Sequence, residues 1–559
     1  MRTISLKLAC ALAAFALSGA AAAQDYGDDA VTGGSGDEAG PADDARARQR
    51  LEVVPYIEAS QVLLRELEPG SDTVTYTSVA AGVDASVAGR NSAASVSLRY
   101  ERRFSYNDDD LDGDTVSGIA RAGLGLARGV TLDAGVLAAR TRVEGDGSTS
   151  LGGFGGDDAS TSQIYAGYAG PSVHTMAGDV EVEGHYRLGY TRVEEPDVVV
   201  LAPGATPADV FDESTTHSAY ARAGVRPNAV APVGAGVGGG WNEQNISNLD
   251  QRIRDRHVRA DVTVPLDVDV AVVGGVGYED VEISSRDALR DAAGLPVIGT
   301  DGRFVTDESA PRQIAYETSG LIWDAGVMWR PSRRTSLEAY VGRRYGTMSY
   351  HGSFAYAPDS RTALNIVVYD SVTGFGGATV DTLAGLPAQF DAFRNPITGE
   401  IGGCVATLEG NGCFAGVFGS VRSAVFRSRG AAASYSVDLG RTQVGTGFGY
   451  DRRKFVAAAG TVLAPANGVT DENVWWAAYA STRLDPRSSL TANAYANWFE
   501  SGFDLASDVI GYSASLAYQR NLVHGLSGTA AVGLDGVARE NLPDFMTASA
   551  LLGLRYSFR

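Results

Sequence analysis

The chain closes on ASALLGLRYSFR (residues 548–559), and the reading of this stretch decides the fold. Its even positions are Ala548, Ala550, Leu552, Leu554, Tyr556 and Phe558; its odd positions are Ser549, Leu551, Gly553, Arg555, Ser557 and Arg559. A side-chain period of two belongs to a β-strand with one greasy face. A closing strand of an outer-membrane barrel has this form, with Arg555 and Ser557 toward a wet interior and Leu554, Tyr556 and Phe558 toward lipid. Tyr556 and Phe558 are then the expected assembly signal, and the barrel-assembly machinery an expected partner.

The other end of the chain fits an exported protein. In MRTISLKLACALAAFALSGAAAAQ, Arg2 and Lys7 precede an apolar stretch that closes on Ala21, Ala22 and Ala23, the pattern of a cleaved signal peptide over residues 1–23. Cys10 is no lipobox, because the apolar run follows it. No later run is long enough for a spanning helix, which leaves a soluble chain or a barrel. The 69 glycines, and the restriction of lysine to Lys7 and Lys454, favour an all-β chain. A formal net charge of -21 excludes nucleic acid as a partner, since phosphate contacts need clustered cations.

Residues 24–50 are acidic and Gly-rich, the composition of a disordered periplasmic lead-in. From residue 51 to 559, alternating segments are joined by connections that are short and long in turn. The short ones are LARGVT, MAGDVE, WRPSRRTS, LGRTQV, RLDPRSS and RNLVHGLS. The long ones include RVEGDGSTSLGGFGGDDAS, VEEPDVVVLAPGATPADVFDEST, residues 284–317, residues 351–428 and VAAAGTVLAPANGVTDEN. A soluble sandwich or solenoid has no reason to keep its loops short at one end and long at the other. A bacterial barrel does, with short periplasmic turns and long extracellular loops. Counting back from the last strand gives an all-β transmembrane antiparallel barrel of about 20 strands, with a range of about 18–22.

The faces follow from parity. In DVEVEGHYRLGYTR, Val180, Val182, Tyr186, Leu188 and Tyr190 face lipid, while Glu181, Glu183, His185 and Arg187 face in. In GLIWDAGVMWRP, Leu321, Trp323, Ala325, Val327 and Trp329 face out, and Asp324 and Arg330 face in. In RADVTVPLDVDVAVVGGVGYED the outward set is Ala260, Val262, Val264, Leu266, Val268, Val270, Val272 and Tyr278, against inward Arg259, Asp261, Asp269 and Glu279. With Arg99, Glu101, Arg103, Glu338, Arg344, Arg483 and Arg555 these residues make a mixed polar lumen in which neither sign dominates.

The remaining motifs carry little chemistry. GAGVGGGWN contains Gly234, Gly236 and Gly239 at dinucleotide-fingerprint spacing, but no helix follows, so close backbone approach is the better reading. NDDDLDGDT imitates a calcium loop through Asp108, Asp110, Asp112, Gly113 and Asp114, yet Ile119 stands where the bidentate Glu belongs. His174, His185, His217, His257, His351 and His524 are scattered, and no G-x-S-x-G elbow occurs. No catalytic, cofactor-binding or metal-binding residue is therefore assigned, and an enzyme is not expected. Cys404 and Cys413 in GGCVATLEGNGCF are candidates for a disulfide in an oxidising compartment.

At full length the chain resembles the porin-like outer-membrane β-barrel proteins of sphingomonad-type alphaproteobacteria. The resemblance rests on VVPYIEASQVLLREL, SVSLRYERRF, EGHYRLGYTRVEEPD, ISNLDQRIRDRHVRADVTVP, VGGVGYEDVEISSRDALRDAAG, WRPSRRTSLEAYVGRRYG, GSFAYAPDSR, GYDRRKF, YANWFESGF and GLRYSF. Members often carry the label preprotein translocase subunit YajC, which belongs to a small inner-membrane protein with one spanning helix; this chain has no such helix. The resemblance brings no functional residues. Outer-membrane barrels commonly finish on the aromatic residue, whereas Arg559 follows Phe558 here.

Together these readings give the expectation of an outer-membrane porin, a passive channel for small solutes in contact with outer-membrane lipid and lipopolysaccharide and able to form homo-oligomers. The alternatives are an export or envelope-assembly conduit working with partners and, third, a barrel hydrolase. No plug domain precedes the barrel, which argues against energised siderophore uptake, although the Cys404–Cys413 loop is long enough to fold inward and constrict the pore.

Overall fold

The computed structural model describes residues 50–106, 112–143, 149–150, 161–194, 210–406, 412–414, 416–503, 508–540 and 543–558. The expected signal peptide over residues 1–23, all but the last residue of the expected lead-in, Asp108, Asp110 and Arg559 lie outside these.

Twenty-two long strands and the two-residue strand Thr149–Ser150 form one antiparallel sheet. In order they are β1 Arg50–Glu68, β2 Thr73–Ala88, β3 Ser92–Ser105, β4 Gly113–Ala127, β5 Val130–Val143, β6 Thr161–Ala177, β7 Val180–Glu194 and β8 Glu213–Val225. There follow β9 Gly234–Ile246, β10 Gln251–Pro265, β11 Val270–Ser285, β12 Gln313–Ser332, β13 Thr335–Arg344, β14 Thr347–Asp359 and β15 Thr362–Thr373. The last seven are β16 Phe426–Asp438, β17 Thr442–Phe455, β18 Thr470–Asp485, β19 Ser488–Glu500, β20 Val509–Val523, β21 Leu526–Arg539 and β22 Phe545–Ser557. Each pairs with its chain neighbours, and β1 pairs with β22, Ala59 opposite Leu554 and Tyr56 opposite Ser557, so the ring is closed and leaves no free edge along the seam.

Twenty-two strands stand at the upper end of the expected range. The stretch from His351 to Thr373, expected as part of a long loop, is the end of β14, a turn at Ser360–Arg361 and β15. Likewise RADVTVPLDVDVAVVGGVGYED is a hairpin, not one strand: Leu266–Asp269 is its turn, and Val268 there is almost fully exposed. An apolar–polar turn sequence in phase with both flanking strands hides the reversal from a period-two reading.

The lipid-facing ladders form as the alternation requires. Leu188, Tyr190, Leu321, Tyr278, Leu552 and Leu554 are exposed, while Leu551, at the opposite parity, is 4% exposed. On this outer surface His217 stacks against Trp241 at 5.9 Å and its Nδ1 shares a hydrogen bond with the Tyr186 hydroxyl at 2.8 Å, part of an aromatic girdle. Toward the extracellular rim, outward arginines stand across the ladder from carboxylates. Arg102 faces Asp114 at 2.9 Å, Arg192 stands opposite Glu213, Arg254 is flanked by Glu243 and Glu282, and Arg256 stands opposite Asp280.

The connection between β15 and β16 does not stay outside. Residues 374–406, 412–414 and 416–425 enter the barrel from the extracellular end. They carry the helix α1 Phe375–Gly385, short paired strands at Asp391–Arg394, Ile401–Ala406 and Gly412–Cys413, and a helical turn at Val417–Gly419. Phe375, Val380, Leu383, Leu386, Phe414, Phe418, Val421 and Val425 from this segment form one core with wall residues Ile119, Leu137, Ile164, Val193, Ile253, Val281 and Trp475. The main hydrophobic core of the molecule is therefore inside the barrel, where a wholly polar lumen was expected.

Candidate functional site: a closed lumen with a periplasmic-side cavity

Two buried glutamines hold the inserted segment where it enters and leaves. Gln244 on β9 accepts from the Gly374 backbone N–H at 2.9 Å; Gln251 on β10 donates to the Ser423 carbonyl at 3.0 Å and accepts from the Val425 N–H at 3.3 Å. From there α1 descends along β5–β8. Its glycine-rich start lies against the wall so closely that a Cβ on Gly376 would collide with Ser214 Oγ and come within 3.0 Å of the Phe211 ring. Lower down, Val380 fills the space over Gly189 on β7.

The segment then crosses to β2–β4. Arg394 donates to Ser97 Oγ at 3.2 Å, the Ser97 carbonyl at 2.8 Å, Ser117 Oγ at 2.8 Å and the Ser117 carbonyl at 3.3 Å. Gln389 donates to the Val87 carbonyl at 3.4 Å, one residue from the periplasmic end of β2. Ile397 packs with Val62, Leu64, Ala517, Ala531 and Leu551 at the β1–β22 seam. On the way back Arg453 of β17 donates to the Gly416, Val417 and Ser420 carbonyls at 2.6–3.0 Å. Burial raises the Glu400 carboxyl to about 7; its Oε2 accepts from the Arg140 N–H at 3.2 Å.

Above the segment, residues 286–312 and 456–469 add a second layer. Leu249, Ala288, Phe304, Ala457 and Leu463 form a small core there, and Arg303 donates to the Val193, Val210 and Phe211 carbonyls at 3.1–3.2 Å.

A cavity of about 940 Å³ opens against the walls β7–β14, reaching the periplasmic turns at Pro227 and Asp267. Its wall is built from crossed ion pairs. Arg259 makes a bidentate pair with Asp324 at 2.6 Å and reaches Asp261 at 3.0 Å; Arg222 joins Asp261 from the other side at 2.7 Å. Glycine makes this wall possible, because the Arg222 guanidinium and the His257 ring lie directly over Gly236 and Gly240 of the GAGVGGGWN stretch. Tyr340 and His351 stack at 4.8 Å with an interplanar angle of 10°, and His185 and Tyr220 stand 5.9 Å apart.

The residues expected in the lumen are distributed as follows. Glu181, Glu183, Arg259, Asp261, Asp269, Asp324, Glu338 and Arg344 line the cavity. Glu338 is paired with Arg330, and Arg344 with Asp255 at 2.9 Å and Glu279 at 3.3 Å. Arg187 meets Asp381 of α1 at 3.5 Å. Arg99, Glu101 and Arg103 form a buried chain with Glu58, at 2.8–2.9 Å, beneath Gly399 of the inserted segment. Arg555 pairs with Asp84 at 2.7 Å and lies 3.5 Å from the Tyr56 ring centroid. Arg483 donates to the Gly440 carbonyl at the periplasmic rim. Sequence reasoning missed Arg222, Tyr220, Tyr340 and His351, although each has the inward parity of its strand. It also missed Arg394, which has no period to betray it. Cys404 and Cys413 are directly opposed in the register of their paired strands. Among the described residues no cluster of three His, Cys, Asp or Glu is placed to hold a metal.

No family model and no curated protein matches the chain. Solved structures do. The ferric-catecholate import receptor Fiu from Escherichia coli K12 in its closed form is 10% identical with a TM-score of 0.43, covering 90% of this chain and 81% of that one. The FrpB iron transporter from Neisseria meningitidis (F5-1 variant) is 11% identical with a TM-score of 0.42, covering 90% and 82%. The copper transporter OprC is 11% identical with a TM-score of 0.38, covering 91% and 81%. The expectation of an open passive porin is corrected by the structure itself, in which the described part of residues 374–425 packs a hydrophobic core inside the barrel. The chain is an antiparallel transmembrane β-barrel whose interior holds a hydrophobic core built partly from its own inserted segment.

Proposed function

We propose that the protein is a gated transporter of small polar solutes, in which residues 374–425 are the gate and the periplasmic-side cavity is where solute is held. The observation that carries this reading is the inserted segment. It is anchored by side chains on several walls and seals the extracellular half with an apolar core, so solute passes only when the segment moves. Beneath it the cavity offers an aromatic stack at Tyr340 and His351 beside the Arg222, Arg259, Asp261 and Asp324 network, which suits hydroxyl-rich or zwitterionic solutes better than ions of one sign.

The test uses a switchable lock. A Cβ built on Gly189 lies 3.3 Å from the Val380 Cβ, close to the spacing of about 3.5–4.5 Å that a disulfide requires. In a Cys404→Ser/Cys413→Ser background, Gly189→Cys with Val380→Cys ties α1 to the wall when oxidised. Reconstituted in liposomes and planar bilayers, the oxidised protein passes neither KCl nor small sugars, and reduction restores whatever passage the parent shows. Steady conductance through the oxidised barrel sinks the proposal.

A further inference from the structure

A second site stands on the outer surface. At the extracellular end of β16 and β17 the register places Arg427 opposite Lys454 and Arg429 opposite Arg452. Arg453, one residue away, points inward to the inserted segment, so these four share the outward face. Like charges directly opposite one another destabilise a sheet. Arg429 stands opposite Asp370 on β15 and Arg452 opposite Glu472 on β18, like the rim arginines named above, but across the β16–β17 ladder itself cation faces cation at two successive outward positions.

The local anions are too few. Asp370 is shared by Arg427 at 2.6 Å and Arg429 at 3.1 Å, and Glu472 lies 3.5 Å from Arg452. Lys454, the single lysine of the chain beyond Lys7, and Arg343 on β13 are exposed and have no anionic partner among the described residues. Arg343 stands opposite Met348, whose carbonyl accepts from Arg429 at 2.8 Å, so it belongs to the same cluster. With Glu500, which is exposed opposite Glu472, five cations thus meet three carboxylates, an excess of two positive charges on a chain whose net charge is -21.

The height of the cluster identifies what it meets. Tyr350, Phe448 and Tyr450 stand on the same outward face just below it, at the position of the interfacial aromatic girdle. Two residues along a strand span about 7 Å, which lifts the cations from the girdle into the headgroup layer of the outer leaflet. From this geometry we infer that Arg343, Arg427, Arg429, Arg452 and Lys454 form a docking site for the phosphorylated headgroup of an outer-leaflet glycolipid. Charge-assisted contacts to phosphate relieve the cation–cation opposition across the ladder.

The test is native mass spectrometry of the full mature barrel, freed of lipid in detergent and titrated with bisphosphorylated lipid A, dephosphorylated lipid A or inorganic phosphate. Bisphosphorylated lipid A is expected to be retained. Arg343→Gln with Lys454→Gln, which breaks no ion pair of the fold, weakens it by about tenfold or more. Arg102→Gln, at a charge-matched part of the rim, leaves it unchanged. Heat-modifiable migration in gels verifies that each variant is folded. Failure to retain lipid A overturns the assignment. So does equal retention of the dephosphorylated form, unaltered binding by the double variant, or displacement by inorganic phosphate at equimolar concentration.

Discussion

Arg394 is the residue whose loss most directly reports on the proposed gate. It reaches from the inserted segment to two neighbouring strands, with four hydrogen bonds to Ser97 and Ser117; a fifth, to the Gly399 carbonyl at 2.7 Å, stays within the segment and does not hold it to the wall. The serine carbonyls keep their ladder partners when Arg394 is removed, so each bond is taken near the low end of the usual net range, and four come to about 3 kcal/mol. If docked and displaced segment are in equilibrium, that energy multiplies the displaced-to-docked ratio by about 100-fold. Arg394→Ala, purified and reconstituted in planar bilayers, should therefore raise the fraction of time spent in conducting states by about two orders of magnitude, from a parent that is almost always closed. Arg394→Gln, which keeps part of the bonding, should fall between. An Arg394→Ala barrel that is folded and heat-modifiable yet opens no more often than the parent refutes the view that these contacts hold the gate shut.

Other outcomes follow from the same contacts. The Glu400 carboxyl holds its proton more tightly with the segment docked than with it displaced, so this contribution to docking is complete below about pH 4.5 and is lost as pH rises through about 7. Opening frequency should climb over that window and become flat in Glu400→Gln, as read from single-channel records across pH. Gly376→Val forces α1 away from Ser214 and Phe211 at a cost of about 1–3 kcal/mol; proteolysis of intact liposome-embedded barrels should cut the segment sooner in this variant. Peptide mapping without reductant should recover Cys404 and Cys413 in one linked peptide, and separate peptides would exclude a disulfide.

The lipid-facing half of the fold was legible in sequence because bilayer and water impose opposite demands on alternate residues, as Leu552, Leu554 and Tyr556 against Ser549, Gly553 and Arg555 show. The lumen was less legible. In β4–β6 the inward residues Ile119, Leu137 and Ile164 are as apolar as the outward ones, and a strand greasy on both faces requires a covered interior. The matching signal lay in residues 374–425, where Phe375, Leu383, Leu386, Phe414 and Phe418 are too many large apolar groups for a solvated loop. Their docking has no period, so neither Arg394 nor the walls it meets could be paired by spacing. Of the cavity, Arg259, Asp261 and Asp324 were readable from parity, but their mutual bonding depends on strand stagger that composition does not encode.

Ile397 of the inserted segment packs against Val62, Leu64 and Leu551, on the strands that come from the two ends of the barrel sequence. A ring made from one chain has a single junction that is not continuous through a turn, and here the gate is riveted across it from inside. Seating of Ile397 is therefore expected to depend on closure of the ring in this register. A slip of one residue at this junction would turn Val62, Leu64 and Leu551 away from Ile397, so docking of the segment would report whether the ring had closed in register.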